Sequence, residues 1–167
     1  MLTIHRFQKS DSLEALTLLL NRAYAELGAM GLNYTAVDQT AEVTAQRIDG
    51  GECFIARWNG HLVGSVLGKP TDAGSACVYF TRPGVASLRQ LGVDPDFRGK
   101  GIGLQLIRCC EAWARDQGFT ELALDTAKPA THLVSLYTRL GYRPVGQVQW
   151  PGKHYESVVL SKSLSQD

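Results

Sequence analysis

The segment LGVDPDFRGKGIG, residues 91–103, restricts the possible folds more than any other part of the chain. It overlaps a short apolar run over residues 85–93, and this run predicts a buried strand. The strand must end before Pro95, because proline has no N–H for a sheet ladder. From Ile102 the apolar residues recur at helical spacing, and Gly118 is placed to end that helix. The segment therefore reads as a strand, a glycine-rich turn and a helix. This arrangement points free backbone N–H groups and the positive end of a helix dipole at one place, which suits a phosphate group.

The spacing of the glycines distinguishes between the known classes of phosphate-binding loop. A Walker-type nucleotide loop requires serine or threonine after Gly-Lys, but the lysine after Gly99 is followed by another glycine. The dinucleotide pattern G-x-G-x-x-G also fails, because leucines stand where the third glycine is needed. The pattern that fits is R-x-x-G-x-G, at Arg98, Gly101 and Gly103. An ordinary glycine-rich turn between a strand and a helix remains the alternative.

With Val93-Asp94-Pro95 ahead of it, this pattern resembles the segment by which the GCN5-related N-acetyltransferases hold the pyrophosphate of acetyl-CoA. The resemblance implies acetyl-CoA as the cofactor, with residues 98–104 giving backbone N–H groups to the pyrophosphate. It also implies that residues 91–93 pair with the pantetheine arm like a strand, and that a nearby N–H stabilises the charge that develops on the thioester. Lys100 either adds charge at the rim or is simply solvated. The cofactor-binding residues predicted in this way are Leu91, Gly92, Val93, Arg98, Gly99, Lys100, Gly101, Ile102, Gly103 and Leu104.

A second segment, SLYTRLGY at residues 135–142, resembles the other recurring motif of this superfamily. The resemblance implies that Tyr137 lies close to the coenzyme sulfur and protonates the departing thiolate as a general acid. The alternative is a tyrosine that only packs on the sheet and hydrogen-bonds a nearby partner. The chain departs from the family at Ala130, where many members carry an asparagine that contacts the coenzyme. That contact is either missing here or made by Thr131.

The remaining pattern predicts a mixed α/β (α+β) fold. The strand–helix–strand unit at residues 85–126 implies a parallel strand pair, whereas hairpin signals such as Asn59-Gly60 imply antiparallel pairs. We therefore expect a mostly antiparallel sheet with helices on both faces. The resemblance implies that the parallel strands splay at the coenzyme site, and Gly92 is our candidate for the bulge or kink that begins the parting. The predicted strands are residues 2–7, 53–58, 61–67, 85–93, 120–125, 142–150 and 154–160, with 76–80 as a possible further strand, and the predicted helices are 13–27, 38 or 40 to 48, 102–117 and 129–140.

Composition and charge exclude several classes of function. A chain of 167 residues with a net charge of +1 is long enough for one domain, which we assign to residues 1–167, and gives no sign of a nucleic-acid partner. No apolar run approaches the roughly 20 residues of a membrane span, and residues 1–6 lack the pattern of a signal peptide. The four cysteines lie in apolar patterns without metal-ligand spacing. We therefore predict reduced core thiols, no metal site, no membrane partner and a cytoplasmic location.

The acceptor site is less well defined. We expect a primary amine of a small molecule, peptide or protein to bind between the loop at residues 29–37, the central strand and the last hairpin. The candidate contacts are Tyr34, Gln90, Trp150 and His154, although Trp150 is equally well explained as the anchor of a turn. No residue identifies itself as the base that the amine requires, and a water chain would serve as well. The lack of a strongly acidic loop or a basic cluster argues weakly against polyamines.

Two other classes of function remain open. The chain is either an N-acetyltransferase or an acyl-CoA-binding sensor or interaction module without transfer activity, and Tyr137 favours the transferase. An enzyme that binds a nucleotide phosphate is disfavoured by the failed glycine patterns. A homodimer through an edge strand or residues 69–85 is suggested by analogy alone.

Overall fold

Seven strands and four α-helices form the computed structural model, which describes residues 1–164. The strands are β1 (Leu2–Arg6), β2 (Glu52–Trp58), β3 (His61–Lys69), β4 (Val85–Val93), β5 (Glu121–Ala127), β6 (Arg143–Val148) and β7 (Ser157–Ser163). The helices are α1 (Leu13–Ala29), α2 (Ala41–Ile48), α3 (Ile102–Asp116) and α4 (Thr131–Arg139). Residues 165–167 of the predicted domain lie outside the described part of the chain.

The described strands belong to one sheet, in the order β1-β2-β3-β4-β5-β7-β6. β4 and β5 are parallel and joined by α3, and the other neighbouring pairs are antiparallel. The predicted mixed, mostly antiparallel fold is thereby confirmed. The prediction of a possible further strand at residues 76–80 is wrong. Val78–Thr81 forms a 3-10 turn, because the Phe80 N–H bonds back to the Cys77 carbonyl oxygen at 3.1 Å instead of to a neighbouring strand.

The parallel strands separate early, as expected for a splayed pair. β4 and β5 are paired only from Val85↔Glu121 to Ser87↔Ala123. The bulge prediction at Gly92 is wrong in position. The irregularity lies at Gln90, which has a φ of +44°, and residues 90 and 91 of β4 face residue 66 alone on β3. Gly92 is instead a close-packing position, because a Cβ added there would lie 3.0 Å from the Ala23 Cβ of α1.

Helices cover both faces of the sheet, as predicted. On one face, Leu20 of α1 belongs to the same apolar cluster as Leu67 of β3. On the other face, Leu106 of α3 clusters with Val66 of β3. Val66 and Leu67 are successive residues of one strand, so their side chains point to opposite sides of the sheet. The sheet is therefore the middle layer between two helical layers.

The cysteine side chains are free, as predicted, and most lie in the core. Cys53, Cys77 and Cys110 are buried, whereas Cys109 is half-buried. Burial raises the pKa of the three buried thiols, to about 12 for Cys53. These thiols therefore stay protonated and unreactive at neutral pH.

Within residues 1–164, no helix is both long and apolar enough to cross a lipid bilayer.

Gly68 of β3 provides a test of how tightly α3 packs on the sheet. A Cβ at this position would lie 2.6 Å from Cε3 of Trp113. We expect Gly68→Ala to lower the free energy of unfolding by about 1–3 kcal/mol, because the indole must move. Gly146→Ala in β6 is the matched control, since an added Cβ there meets no atom within 4 Å. Urea unfolding of both variants measures the difference, and equal stabilities would contradict the packing argument.

Candidate active site

A cleft of about 710 Å³ opens where β4 and β5 part. Its walls come from α1, the start of α3, α4 and the loop that follows β6. The structure brings most of the predicted site residues to this cleft: Tyr34, Gln90, Leu91, Gly92, Val93, Arg98, Gly99, Gly101, Ile102, Gly103, Tyr137 and Trp150. Patterns far apart in the sequence therefore converge on one opening.

The glycine loop leaves backbone donors free at one end of the cleft. Gly99 and Gly101 have φ values of +79° and +78°, a backbone conformation that residues with a Cβ rarely adopt. The first helical bond of α3 runs from the Gln105 N–H to the Gly101 carbonyl oxygen at 3.1 Å. Within residues 1–164, the N–H groups of residues 102–104 have no bonding partner. An anion placed here would meet three unpaired N–H groups and the positive end of the helix dipole.

Arg98 joins this loop to α1. Its Nη1 lies 2.8 Å from Glu26 Oε2, and its Nη2 donates to the Ala23 carbonyl oxygen at 2.9 Å. The guanidinium charge is thus matched by a carboxylate at the rim. The side chain holds the loop in position, and the backbone supplies the free donors.

Three predicted cofactor contacts lie outside the residues that line the cleft. The Lys100 ammonium stands 5.2 Å from the centre of the Trp58 ring, which gives it a partner on the surface. Leu104 is half-buried on α3 and does not reach the opening, although its backbone N–H is free. Thr131 is exposed at the first residue of α4, and its neighbour His132 lines the cleft in its place.

His154 also differs from its predicted place. Its side chain is exposed and outside the cleft lining, while its backbone N–H donates to Asn33 Oδ1 at 3.0 Å. That bond fixes the loop so that Lys153 and Tyr155, on either side of it, line the cleft. The last hairpin therefore contributes to the site through different residues from the one predicted.

Tyr137 lies on the buried face of α4 and is only 7% exposed. Its ring packs edge-on against Tyr142, with ring centres 6.0 Å apart. Within residues 1–164 its hydroxyl has no hydrogen-bond partner. Burial raises its pKa well above the ordinary value for tyrosine, and the nearby Tyr34 and Asp125 add to the rise. The phenol therefore stays protonated at neutral pH and is free to donate.

Two other tyrosines bond to backbone groups on the two sides of the opening. The Tyr24 hydroxyl donates to the Leu91 carbonyl oxygen of β4 at 2.7 Å. The Tyr34 hydroxyl accepts from the Ala127 N–H of β5 at 2.9 Å and lies 2.8 Å from Thr126 Oγ1. The rings of the two tyrosines are 5.7 Å apart. These contacts hold the separated strand ends in place.

Trp150 both lines the cleft, as expected of an acceptor contact, and anchors its own loop, the two roles that its sequence position suggested. Its ring lines the cleft and packs on Phe80, 6.3 Å between centres, so it also anchors its loop. Its Nε1 donates to Asp125 Oδ2 at 2.7 Å. Sequence reasoning missed Asp125, although its place at the end of the predicted strand 120–125 was the available signal.

Sequence reasoning also missed two arginines in the cleft. Arg89 of β4 donates from Nε to Ser87 Oγ at 3.0 Å and lies 4.4 Å from the centre of the Phe80 ring. Arg47 of α2 donates from Nη1 to Gln39 Oε1 at 2.9 Å. Burial lowers the pKa of both guanidinium groups, yet each remains charged at neutral pH. No local pattern joins these residues, because they come from different elements.

Gln90, a predicted acceptor contact, is held by the same network. Its Oε1 accepts from Gln39 Nε2 at 3.0 Å, and the side chain is buried. The amide of Gln39 thus links Gln90 to Arg47 and fixes both at the wall of the cleft.

Comparisons with known protein sequences agree with the two motifs. A family model described as "Acetyltransferase (GNAT) family" matches residues 14–142. Human N-acetyltransferase 8 is 31% identical over 134 residues, covering 80% of this chain and 56% of that protein. The S-(2-succino)cysteine N-acetyltransferase of Bacillus subtilis (strain 168) is 26% identical over 165 residues, covering 98% of this chain and 97% of that protein. The chain spans about half the length of the human relatives that it matches.

Solved structures share the fold at low sequence identity. The ribosomal-protein-S18-alanine N-acetyltransferase from Escherichia coli matches with a TM-score of 0.75 at 17% identity, covering 100% of this chain and 96% of that one. A GNAT family acetyltransferase from Elizabethkingia anophelis, solved with acetyl-CoA bound, matches with a TM-score of 0.69 at 19% identity, covering 97% of each chain. A PaiA N-acetyltransferase from Thermoplasma acidophilum in complex with coenzyme A matches with a TM-score of 0.72 at 18% identity, covering 98% and 99%.

Proposed function

The chain belongs to the acetyltransferase (GNAT) family, and from that premise we propose that it transfers an acetyl group from acetyl-CoA to a primary amine of a small molecule or peptide. The observation that carries the proposal is the continuity of the cleft. One opening connects the free N–H groups at the start of α3 with Tyr137, whose hydroxyl has no hydrogen-bond partner within residues 1–164. A site that only bound an acyl carrier would not require such a phenol.

The residues around the cleft fit acetyl-CoA. The free N–H groups of residues 102–104 suit the pyrophosphate, and the glycines beside them keep side chains away from it. In the described part of the chain, β4 has no strand partner beyond Ser87 on its β5 side, and this free edge suits the amides of the pantetheine arm. When bound, acetyl-CoA supplies a thioester carbon that forms a C–N bond with the acceptor nitrogen as the C–S bond breaks, while the nitrogen gives up one proton and the sulfur takes one up.

Tyr137 is the proposed general acid of this transfer. Its phenol oxygen holds a proton that its raised pKa prevents from leaving spontaneously, so the proton is present when a thiolate needs it. Water then returns a proton to the phenol. The acceptor amine must be neutral to attack, and its surplus proton leaves to water in the cleft.

The raised pKa of Tyr137 predicts the alkaline side of the pH profile. The neutral phenol is the active form, and a raised pKa extends its range upward in pH. We therefore expect kcat/KM for the acceptor to rise about tenfold per pH unit below the amine's pKa and then to stay level through about pH 10, where an ordinary tyrosine is half ionised. Initial rates corrected for spontaneous thioester hydrolysis test this. A fall at or below about pH 10 that disappears in Tyr137→Phe would assign the phenol an ordinary or lowered pKa and contradict the prediction.

The function itself is tested by mass spectrometry. The protein is incubated with acetyl-CoA and pools of amino acids, polyamines, aminoglycosides, arylamines and short peptides. S-(2-succino)cysteine is included because a relative of similar length is named for it. A gain of one acetyl group on a pool member supports the proposal. Protection of the protein by acetyl-CoA in a thermal melt without acetylation of any pool member would favour the sensor module instead, and no protection would remove the cofactor assignment.

A further inference from the structure

The acceptor end of the cleft carries an excess of positive charge. At the cofactor end, Arg98 is paired with Glu26. At the other end, Arg47, Arg89 and Lys153 line the cleft, and Asp125 is the sole carboxylate there among residues 1–164. Neither Arg47 nor Arg89 forms an ion pair in that part of the chain. Asp125 therefore balances only one of these three positive charges, and because half-buried excess charge is costly the site is complementary to an anion.

Both arginines keep hydrogen-bond donors free for a ligand. A guanidinium has five N–H groups, and the structure uses Nε of Arg89 and Nη1 of Arg47. Within residues 1–164, Ser157 Oγ is the one side-chain nitrogen or oxygen atom that is buried and has no hydrogen-bond partner. The remaining donors of the two arginines therefore reach solvent in the cleft. A carboxylate is the group that two planar, charged donors bind best, through paired N–H···O bonds.

The plane of the Arg89 guanidinium is fixed. It lies 4.4 Å from the centre of the Phe80 ring and 5.7 Å from that of Trp150. Its Nε is also held by Ser87. A side chain fixed in this way loses little freedom on binding, which favours a specific contact over a diffuse charge.

Asp125 offers a separate place for the amine. Its Oδ2 accepts from Trp150, and its Oδ1 has no partner within residues 1–164. It stands two residues beyond Ala123, the last residue of β5 that pairs with β4. The free oxygen is therefore at the opening, where the proposed transfer takes place.

We propose that the acceptor is an amino acid or a close derivative, with its carboxylate on Arg89 and Arg47 and its amine beside Asp125. The inference rests on the proposed transfer function and specifies its substrate class. Polyamines and aminoglycosides would bring further cations to Arg47 and Arg89 and are excluded as good acceptors.

Matched acceptors test the proposal in the unaltered protein. Each amino acid is compared with its carboxamide and with the amine left by decarboxylation, at equal concentrations of the unprotonated amine. We expect the best amino acid to exceed both analogues at least tenfold in kcat/KM. Equal values, or a preference for the decarboxylated amine, would overturn the carboxylate site.

Variants of the two arginines test whether these side chains cause the preference for an acceptor with a carboxylate. Arg89→Gln and Arg47→Gln should each lower kcat/KM for the amino acid about tenfold while changing that for the decarboxylated amine less than threefold. Arg89→Lys should keep part of the preference. Arg108→Gln is the control, since Arg108 is exposed on α3 and outside the cleft lining. Equal losses for acid and amine in the two glutamine variants would show a structural role and overturn the assignment.

A separate measurement keeps the inference testable if no transfer occurs. Calorimetric titration of the coenzyme A-loaded protein with amino acids and their carboxamides reports carboxylate binding without turnover. Preference for the acids that is lost in Arg89→Gln would support the site even if the protein is a sensor. Binding that ignores the carboxylate, or no binding, would overturn it, whatever the outcome of the acetylation assay.

Discussion

Replacement of Tyr137 by phenylalanine should lower kcat at least a hundredfold and leave the KM for acetyl-CoA almost unchanged. A positioned general acid contributes about 10²–10⁴-fold to a proton transfer. Phenylalanine keeps the ring that packs against Tyr142 and removes only the hydroxyl, which has no hydrogen-bond partner within residues 1–164. No native hydrogen bond is therefore lost in the free protein, and the thermal stability should change little.

The measurement is steady-state kinetics with the acceptor found by mass spectrometry. Tyr79→Phe is a suitable control, because the Tyr79 hydroxyl bonds to Glu121 away from the cleft lining. That control should keep its turnover. If Tyr137→Phe retains more than about a third of wild-type kcat with an unaltered pH profile, the thiolate is protonated by another group, and Tyr137 is only a packing residue.

Gly101→Val should weaken acetyl-CoA binding at least thirtyfold. Gly101 precedes α3 with a φ of +78°, and left-handed backbone costs an ordinary L-residue roughly 1–2 kcal/mol, with β-branched residues among the worst. The loop can relieve this strain by rotating the peptide, which turns the N–H groups of residues 102–104 away from the cleft. The site then loses the charge-assisted hydrogen bonds that a pyrophosphate would receive.

Gly118→Val separates loss of binding from loss of stability. Gly118 follows the other end of the same helix, with a φ of +89°, and an added Cβ meets no atom within 4 Å there either. Both valine variants should therefore lose a similar amount of stability in thermal unfolding. Calorimetry should show that only Gly101→Val loses affinity for acetyl-CoA. Equal affinities in the two variants would mean that the loop does not hold the pyrophosphate.

The cofactor end of the cleft could be predicted from the sequence because its determinants are local. The glycines of residues 99–103 act through their own φ angles and through the helix that follows directly. Tyr137 was recognised from its place before the Leu-Gly-Tyr turn, and the structure brings it to the same opening. The parallel pair followed from the strand–helix–strand order, which allows few connections. Each of these inferences uses one continuous segment of the chain, the longest being residues 85–127 for the parallel pair.

The acceptor end was decided by tertiary structure alone. Arg47, Arg89, Asp125 and Lys153 are distant in sequence, and no periodicity distinguishes them from ordinary surface charges. They meet because β4 and β5 part after Ser87, which leaves room for side chains from α2 and the last hairpin. The sequence alone thus determined the family and the fold, and it also identified the glycine loop at which we propose that the phosphates bind. Only the packed sheet decided which charged side chains line the proposed acceptor end of the cleft, because their proximity depends on tertiary packing and not on sequence distance.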